Sequence, residues 1–348
     1  MLYFAIISSS FRKSSLDEIK KKADFKIISE FNNYLIIQSK TTGLHQKMKN
    51  AIFTNTLVPL SASVKIKKGK YLDSILSAVK ASKPSKKLAF KMECIDINGR
   101  EGYSAKDIEV KTGLKMEKLG YNINITDPEV LGYVVLFNGI CYSGRLNLKD
   151  IQREFINPYR YYHTKKSVSR SELKLRQAFD EFGISGDGIA IDLGAAPGGW
   201  SGFLANKGYK VIAIDKGDLD IPSLKKIGAT VSRGTGKGQV NMQKAMHYNI
   251  IHIKEGSQTA YKRIKLKDAS LLADDMNVDI RITAGEVKRY AKFLKKNADV
   301  VLTVKCITKN APRYIKQAKI LLSGVILIKR IKVLPNNRQE FTVYGRTR

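Results

Sequence analysis

The chain has 348 residues, with 62 Lys and Arg against 31 Asp and Glu, for a formal net charge of +31. Its 43% hydrophobic content is that of a folded globular protein, no apolar run reaches the roughly 20 residues that span a bilayer, and three scattered cysteines without a C-x-x-C pair argue against a disulfide framework or a zinc site. Residues 1–160 hold 27 basic and 15 acidic side chains (net +12) and residues 161–348 hold 35 and 16 (net +19), so a polyanion is the expected partner of both halves rather than of one cationic tail.

In chain order, "MLYFAIISSSFRK" lacks the charged start of a signal peptide and reads as a first strand. "SLDEIKKKA" follows as a short helix. "FKIISEF" and "YLIIQSK" read as two strands joined at Asn32-Asn33, "HQKMKNA" as a helix, and the stretch near "TNTLVPL" as a closing strand. Residues 1–60 are thus expected to form a βαββαβ unit of the ferredoxin-like, α+β kind. Residues 61–91 hold nine lysines against one acid, Asp73, around a helix "YLDSILSAVKAS", and are expected to track phosphates.

From 88 to 145 the pattern is strand, helix, strand, strand, with Ser104 capping the helix "AKDIEVKTGLKMEKLG" and Gly120 ending it. Here "REGYSAKDIEVKTG" followed by "NINITDPEV" resembles the THUMP domain of RNA-modifying enzymes, through Ser104, Asp107, Ile108, Glu109, Asp127 and Pro128. That resemblance assigns residues 61–160 to RNA binding. The connector "INPYRYYHTKKSVSR" sets a boundary near residue 160.

Beyond it, "GIAIDLG", "KVIAIDK", "DASLLADDM", "ADVVLTVK" and "GVILIKRI" are short apolar runs separated by helix-length stretches. This predicts a parallel, Rossmann-like α/β sheet with helices on both faces over residues 161–348. "GIAIDLG" is its buried strand, "GAAPGG" a turn, and "WSGFLANKG" the start of a helix. Asp192 is expected to brace the turn. Gly194, Ala195, Pro197, Gly198 and Gly199 offer a loop almost without side chains, where a ligand can approach the backbone closely. Asp215 ends the next strand, 23 residues after Asp192, where an acid suits the hydroxyls of a ribose. Trp200 either walls a cofactor pocket or packs. A dinucleotide site requires G-x-G-x-x-G, and Pro197 removes a donor that a phosphate would use. The loop suits a nucleoside without phosphates, such as S-adenosylmethionine. His247 and His252 read as ordinary polar residues.

"DLGAAPGGWS" resembles the S-adenosylmethionine loop of FtsJ/RrmJ-type RNA 2′-O-methyltransferases. That resemblance implies a Lys-Asp-Lys-Glu set, and four further places carry it. "SRSELKLRQAF" gives Lys174, in a helix that a Ser169–Glu172 capping box is expected to open. "LLADDMNVD" gives Asp275, with the role of Asp274 left open. "VVLTVKCITKNAPRY" gives Lys305, and "NNRQEFTVYGR" gives Glu340. By the same resemblance Lys305 is the general base and Lys174 supplies nearby positive charge. Asp275 and Glu340 orient the lysines and hold the acceptor, and Asp275 also borders the cofactor. A free lysine, with a pKa near ~10.4, is mostly charged at neutral pH, and burial or a second cation can lower it enough to serve.

The order ferredoxin-like, THUMP, FtsJ-like resembles the bacterial 23S rRNA cytidine 2′-O-methyltransferases. It implies RNA as partner (23S rRNA, with tRNA as the alternative), no membrane, no DNA, and a cytoplasmic setting that suits free thiols. Two departures matter. Where that family has R-E-D-G, with an acid toward the adenine amino group, "SRGTGKGQV" offers Thr235. Base methyltransferases carry an Asn/Asp-Pro-Pro-aromatic motif after the fourth strand, and this chain has "DDMN" there. A non-catalytic RNA-binding factor is the remaining alternative, and the retained charged quartet argues against it.

Overall fold

A computed structural model of the chain describes residues 1–82, 84–97, 102–148, 167–233, 239–241 and 247–348. It divides into two compact units, residues 1–158 and 159–348. The boundary expected near residue 160, and Thr235, lie outside the described residues. No helix among the described residues is long and apolar enough to cross a membrane.

The first unit begins β1 (Leu2–Ile7), α1 (Arg12–Lys20), β2 (Phe25–Phe31), β3 (Tyr34–Ser39), α2 (Leu44–Lys47) and β4 (Thr54–Lys65). The β2–β3 turn passes through Asn32 at φ +53°, a left-handed conformation that Asn tolerates better than most side chains. There follow α3 (Tyr71–Ala81), β5 (Phe90–Asp96), α4 (Ala105–Lys118), β6 (Val130–Phe137) and β7 (Ile140–Asn147). All of these strands join one sheet in the order β2-β3-β1-β4-β7-β6-β5. The long β4 makes this possible. It pairs with β1 along Thr54–Leu60 and with β7 along Leu60–Lys65, so the line between the two expected N-terminal parts, at residue 60, runs inside a strand. Ile19 and Leu44 pack one patch of the sheet, and Tyr71, Ile75, Ile108 and Met116 pack another. Helix α4 opens on a full capping box. Ser104 Oγ accepts the Asp107 N–H at 3.1 Å, and Asp107 accepts the Ser104 N–H at 2.9 Å.

The second unit runs α5 (Glu172–Phe182), β8 (Gly188–Leu193), α6 (Gly199–Asn206), β9 (Tyr209–Ile214), α7 (Ile221–Lys226), β10 (Val231–Arg233), β11 (Val240–Asn241) and β12 (Ile250–Ile253). It continues with α8 (Ser257–Ala260), β13 (Ile264–Lys265), β14 (Ala269–Asp274), α9 (Ile280–Tyr290), β15 (Leu294–Lys305), α10 (Ala311–Leu322), β16 (Ile326–Lys332) and β17 (Glu340–Thr347). The main sheet has the order β10-β12-β9-β8-β14-β15-β17-β16. Its first six strands are parallel, and β17 runs antiparallel between β15 and β16. This is the Rossmann-like sheet expected from the apolar runs. β8 and β14 lie in its middle with both faces covered, which is why they are almost continuously apolar. From β8 the chain crosses to β9 on one side, and from β14 to β15 on the other. Right-handed crossovers then place α6 and α9 on opposite faces. The carboxyl ends of β8 and β14 flank the switch point between these directions, where ligands of open α/β sheets bind.

One expected local feature is replaced. Helix α5 has Ser171 as its N-cap residue, without a side-chain cap bond. Ser169 Oγ is spent on Ser171 Oγ at 2.7 Å, and Glu172 pairs with Arg176 at 2.7 Å, one turn along the helix. The Ser169–Glu172 capping box does not form because both members have nearer partners.

Candidate active site

Four elements deliver the charged quartet. Lys174 comes from the first turn of α5, Asp275 follows the last residue of β14, Lys305 ends β15 and Glu340 starts β17. Lys305 and Glu340 are direct cross-strand partners, so the sheet register itself sets them side by side. Lys174 Nζ donates to Asp275 Oδ1 at 2.6 Å and lies 3.1 Å from Glu340 Oε1. Lys305 Nζ donates to Glu340 Oε2. The result is a linear chain, Asp275–Lys174–Glu340–Lys305, with two cations alternating with two carboxylates. Such pairing is what lets buried charges persist.

Openness is uneven along it. Side-chain exposure is 12% for Lys174, 12% for Asp275 and 4% for Glu340, but 28% for Lys305, so Lys305 is the end that an incoming group can reach. Electrostatics separates the two acids. Burial raises the Asp275 carboxyl above its ordinary range, against the opposing pull of Lys174. Burial also pushes Glu340 upward, but Lys174 and Lys305 together outweigh it and hold this carboxyl below its ordinary range.

The loop after β8 lies beside the quartet. Asp275 N–H donates to the Leu193 carbonyl at 3.1 Å, joining the ends of β8 and β14. Gly194 adopts φ +76°, and a Cβ there would stand 3.0 Å from the Met276 nitrogen. Only glycine allows both that conformation and that approach. Asp192 is fully buried, and its Oδ2 accepts from Ser201 Oγ of α6 at 2.6 Å. Asp215 ties two loops together, with Oδ2 accepting the Ala196 N–H at 3.0 Å and Oδ1 the Gly217 N–H at 2.7 Å. Trp200 is buried, and its indole N–H donates to the Ser171 carbonyl at 2.8 Å. It thereby fixes α6 to the start of α5, the helix that carries Lys174. At Gly199 a Cβ would lie 2.0 Å from Ser169 Oγ, so this glycine makes room for protein.

The loop residues therefore divide. Asp192, Ala195, Gly198, Gly199 and Trp200 are buried in packing, whereas Gly194, Pro197, Asp215 and Asp275 keep accessible surface, as do Ala196, Gly217 and Met276. The reachable set fits S-adenosylmethionine. Each oxygen of Asp215 carries one backbone donor and retains lone-pair capacity for ribose hydroxyls. Gly194 and Ala196 keep accessible surface in the loop, as do Asp275 and Met276 at the adjoining end of β14.

Several contributors were not visible as such in the sequence. Asn337 Nδ2 donates to Glu340 Oε1 at 3.3 Å. Its only sequence signal was the polar turn "PNNRQ" before β17. Ser201 supplies the partner of Asp192. Asp274 is fully buried, accepts the Met276 N–H at 2.8 Å, and is kept well above the ordinary carboxylate range by burial. It shapes the turn beneath Asp275 and stands outside the quartet. His252 is buried with its Nε2 3.3 Å from the Asp215 carbonyl, while His247 is exposed. No metal-ligand cluster occurs among the described residues.

Known proteins share sequence with this chain. An uncharacterised protein of Methanocaldococcus jannaschii is 25% identical over 204 residues, 57% of this chain and 49% of that protein. The ribosomal RNA large subunit methyltransferase M of Pectobacterium carotovorum is 30% identical over 129 residues, 35% of each chain. The methyltransferase of the same name from Pseudomonas savastanoi is 43% identical over 142 residues, 37% of this chain and 39% of that protein. The chain thus spans about half, or less, of the length of these relatives. The family model for FtsJ-like methyltransferases matches residues 167–346, just over half of the chain and all but the last residue of the sheet that carries the quartet. The chain belongs to the FtsJ-like methyltransferase family, whose cofactor is S-adenosylmethionine.

Proposed function

We propose that this protein is an RNA ribose 2′-O-methyltransferase acting on large-subunit ribosomal RNA, at a cytidine. The observation that carries the reading is the Asp275–Lys174–Glu340–Lys305 chain, whose Asp275 end is bonded to Leu193 just before the Gly194–Pro197 loop and whose other end is the accessible Lys305. Bound S-adenosylmethionine supplies the electrophilic methyl group. Lys305 Nζ, once it has given its own ammonium proton to solvent, takes the proton of the 2′-OH as its oxygen becomes the nucleophile. Glu340 holds Lys305 by one oxygen and Lys174 by the other, which keeps the base from swinging away. Lys174, bracketed by two carboxylates, places positive charge beside the forming alkoxide. Holding hydroxyl and methyl in line is the larger part of the task, and a rigid quartet built on strand ends suits it. Residues 1–160, net +12, hold the RNA in this reading, through the segment that resembles THUMP.

The test is methyl transfer to ribosomal RNA, followed by nuclease digestion and mass spectrometry. Ribose-methylated cytidine is expected. Lys305→Met should lose about 10²–10⁴-fold in rate, the worth of a general base, while S-adenosylmethionine affinity stays unchanged. Methylation of a base, or an active Lys305→Met protein, overturns the chemistry. A product found in tRNA moves the substrate and leaves the chemistry standing.

A further inference from the structure

The turn between β16 and β17 holds a buried amide that the charge pattern alone does not explain. Asn337 is 8% exposed. Its Oδ1 accepts the Leu334 N–H at 2.7 Å and the Thr342 hydroxyl at 3.1 Å. A backbone N–H can only donate, so these bonds fix which end of the amide is oxygen. Nδ2 therefore faces Glu340, and donates to Oε1 at 3.3 Å. Oε1 is also the oxygen that Lys174 approaches, while Oε2 is left to Lys305. The same turn is held from α5, where Gln177 Oε1 accepts the Asn336 N–H at 3.0 Å. Gln177 lies one turn after Lys174 on that helix.

We propose that Asn337 is a positioning residue, whose side-chain amide fixes the rotation of the Glu340 carboxylate so that one oxygen serves Lys174 and the other Lys305. This rests on the reading of Lys305 as the base. The two acceptor bonds of Oδ1 suffice to fold the turn. The donor toward Glu340 adds nothing to the turn and acts only on the quartet. Asn337→Asp separates these roles, because an isosteric carboxylate keeps both acceptor bonds and replaces the donor by a negative charge against Oε1. An added negative charge there stabilises protonated neighbours, lysine ammonium and carboxylic acid alike.

N337D is therefore expected to lower kcat about tenfold near neutral pH and to move the rising limb of the kcat–pH profile up by about one unit, with KM for both substrates unchanged. A purely structural role would lower kcat equally at every pH, or lower thermal stability. Independently of turnover, carbon-13 NMR of labelled glutamate should show the Glu340 carboxyl titrating at higher pH in N337D than in the wild type. Asn337→Ser loses the amide donor and both Oδ1 acceptor bonds, so it is the control for loss of the turn, with a lowered Tm and a pH-independent fall in kcat against which the pH shift of N337D is read. Lys305→Met is measured alongside. Activity in Lys305→Met sinks the base reading. An inactive Lys305→Met protein, together with an N337D protein of wild-type kcat, pH profile and Glu340 titration, sinks the role of Asn337 alone.

Discussion

Asp192→Asn should make the second unit relatively more stable as pH rises. Asp192 is fully buried, Ser201 satisfies one of its oxygens, and the other has no partner among the described residues. Burial, only partly offset by the Ser201 bond, pushes its carboxyl from 3.8 up to about 7. The unfolded chain releases this proton near pH 4 and the folded chain near pH 7. Between those values the native state binds more protons, so stability falls as pH rises and levels off above 7. A gap of about 3 units is worth roughly 4 kcal/mol at full effect, of which roughly 1.5 is already present at pH 5. Asn does not ionise. Its carbonyl can still accept from Ser201, and its amide leaves a buried donor unpaired at a pH-independent cost of about 1–3 kcal/mol. The difference between variant and wild type should thus move by about 3 kcal/mol in the variant's favour between pH 5 and pH 8. Urea denaturation followed by fluorescence of Trp200, the one tryptophan in the chain and a residue of α6 itself, reads this directly. The same difference at both pH values would refute the reasoning.

Two further substitutions test the loop. Gly194→Ala combines a φ of +76° with a Cβ 3.0 Å from the Met276 backbone, and should cost about 3 kcal/mol, lowering Tm by roughly 6–12 °C with a parallel loss of S-adenosylmethionine affinity, because Met276 follows Asp275. Scanning calorimetry with and without cofactor measures both, and an unchanged Tm counts against the close approach. Trp200→Phe keeps the buried ring and drops the bond to the Ser171 carbonyl, so about 1 kcal/mol of stability should go while cofactor affinity by titration calorimetry stays put. A tenfold loss of affinity would make Trp200 a pocket wall after all.

Much of the fold is legible because its signals are local. A parallel strand buried on both faces must be apolar throughout, and β8, β9, β14 and β15 announce themselves that way. The Ser104 cap is readable because donor and acceptor lie three residues apart. The quartet lies at the other extreme. Lys174 and Asp275 are 101 residues apart, and nothing short-range says that they touch; resemblance to a family supplied that link. Local pattern taken alone misleads in a physical way. A Gly-rich loop looks made for a ligand, yet Gly199 is bare because Ser169 occupies the space that its side chain would take. Asn337 reads as ordinary turn chemistry, since Asn favours turns, and only the return of β17 beside β15 gives its amide a carboxylate to hold. The line at residue 60 follows a change of composition, whereas β4 continues through it because its two halves serve different neighbours.

The opposite shifts of the two acids tell how the quartet divides its work. Asp275 touches one lysine and Glu340 touches two, although Glu340 is the more deeply buried of the two. At Asp275 burial wins and the carboxyl is raised; at Glu340 the paired lysines win and the carboxyl is lowered. Burial therefore favours the protonated form of Asp275, while the paired lysines favour the ionised form of Glu340. The acid whose surroundings favour its charge is the one joined to Lys305, and the acid whose surroundings oppose its charge is joined only to Lys174. Swapping the two environments would leave the same four residue types in place and weaken the carboxylate that holds Lys305.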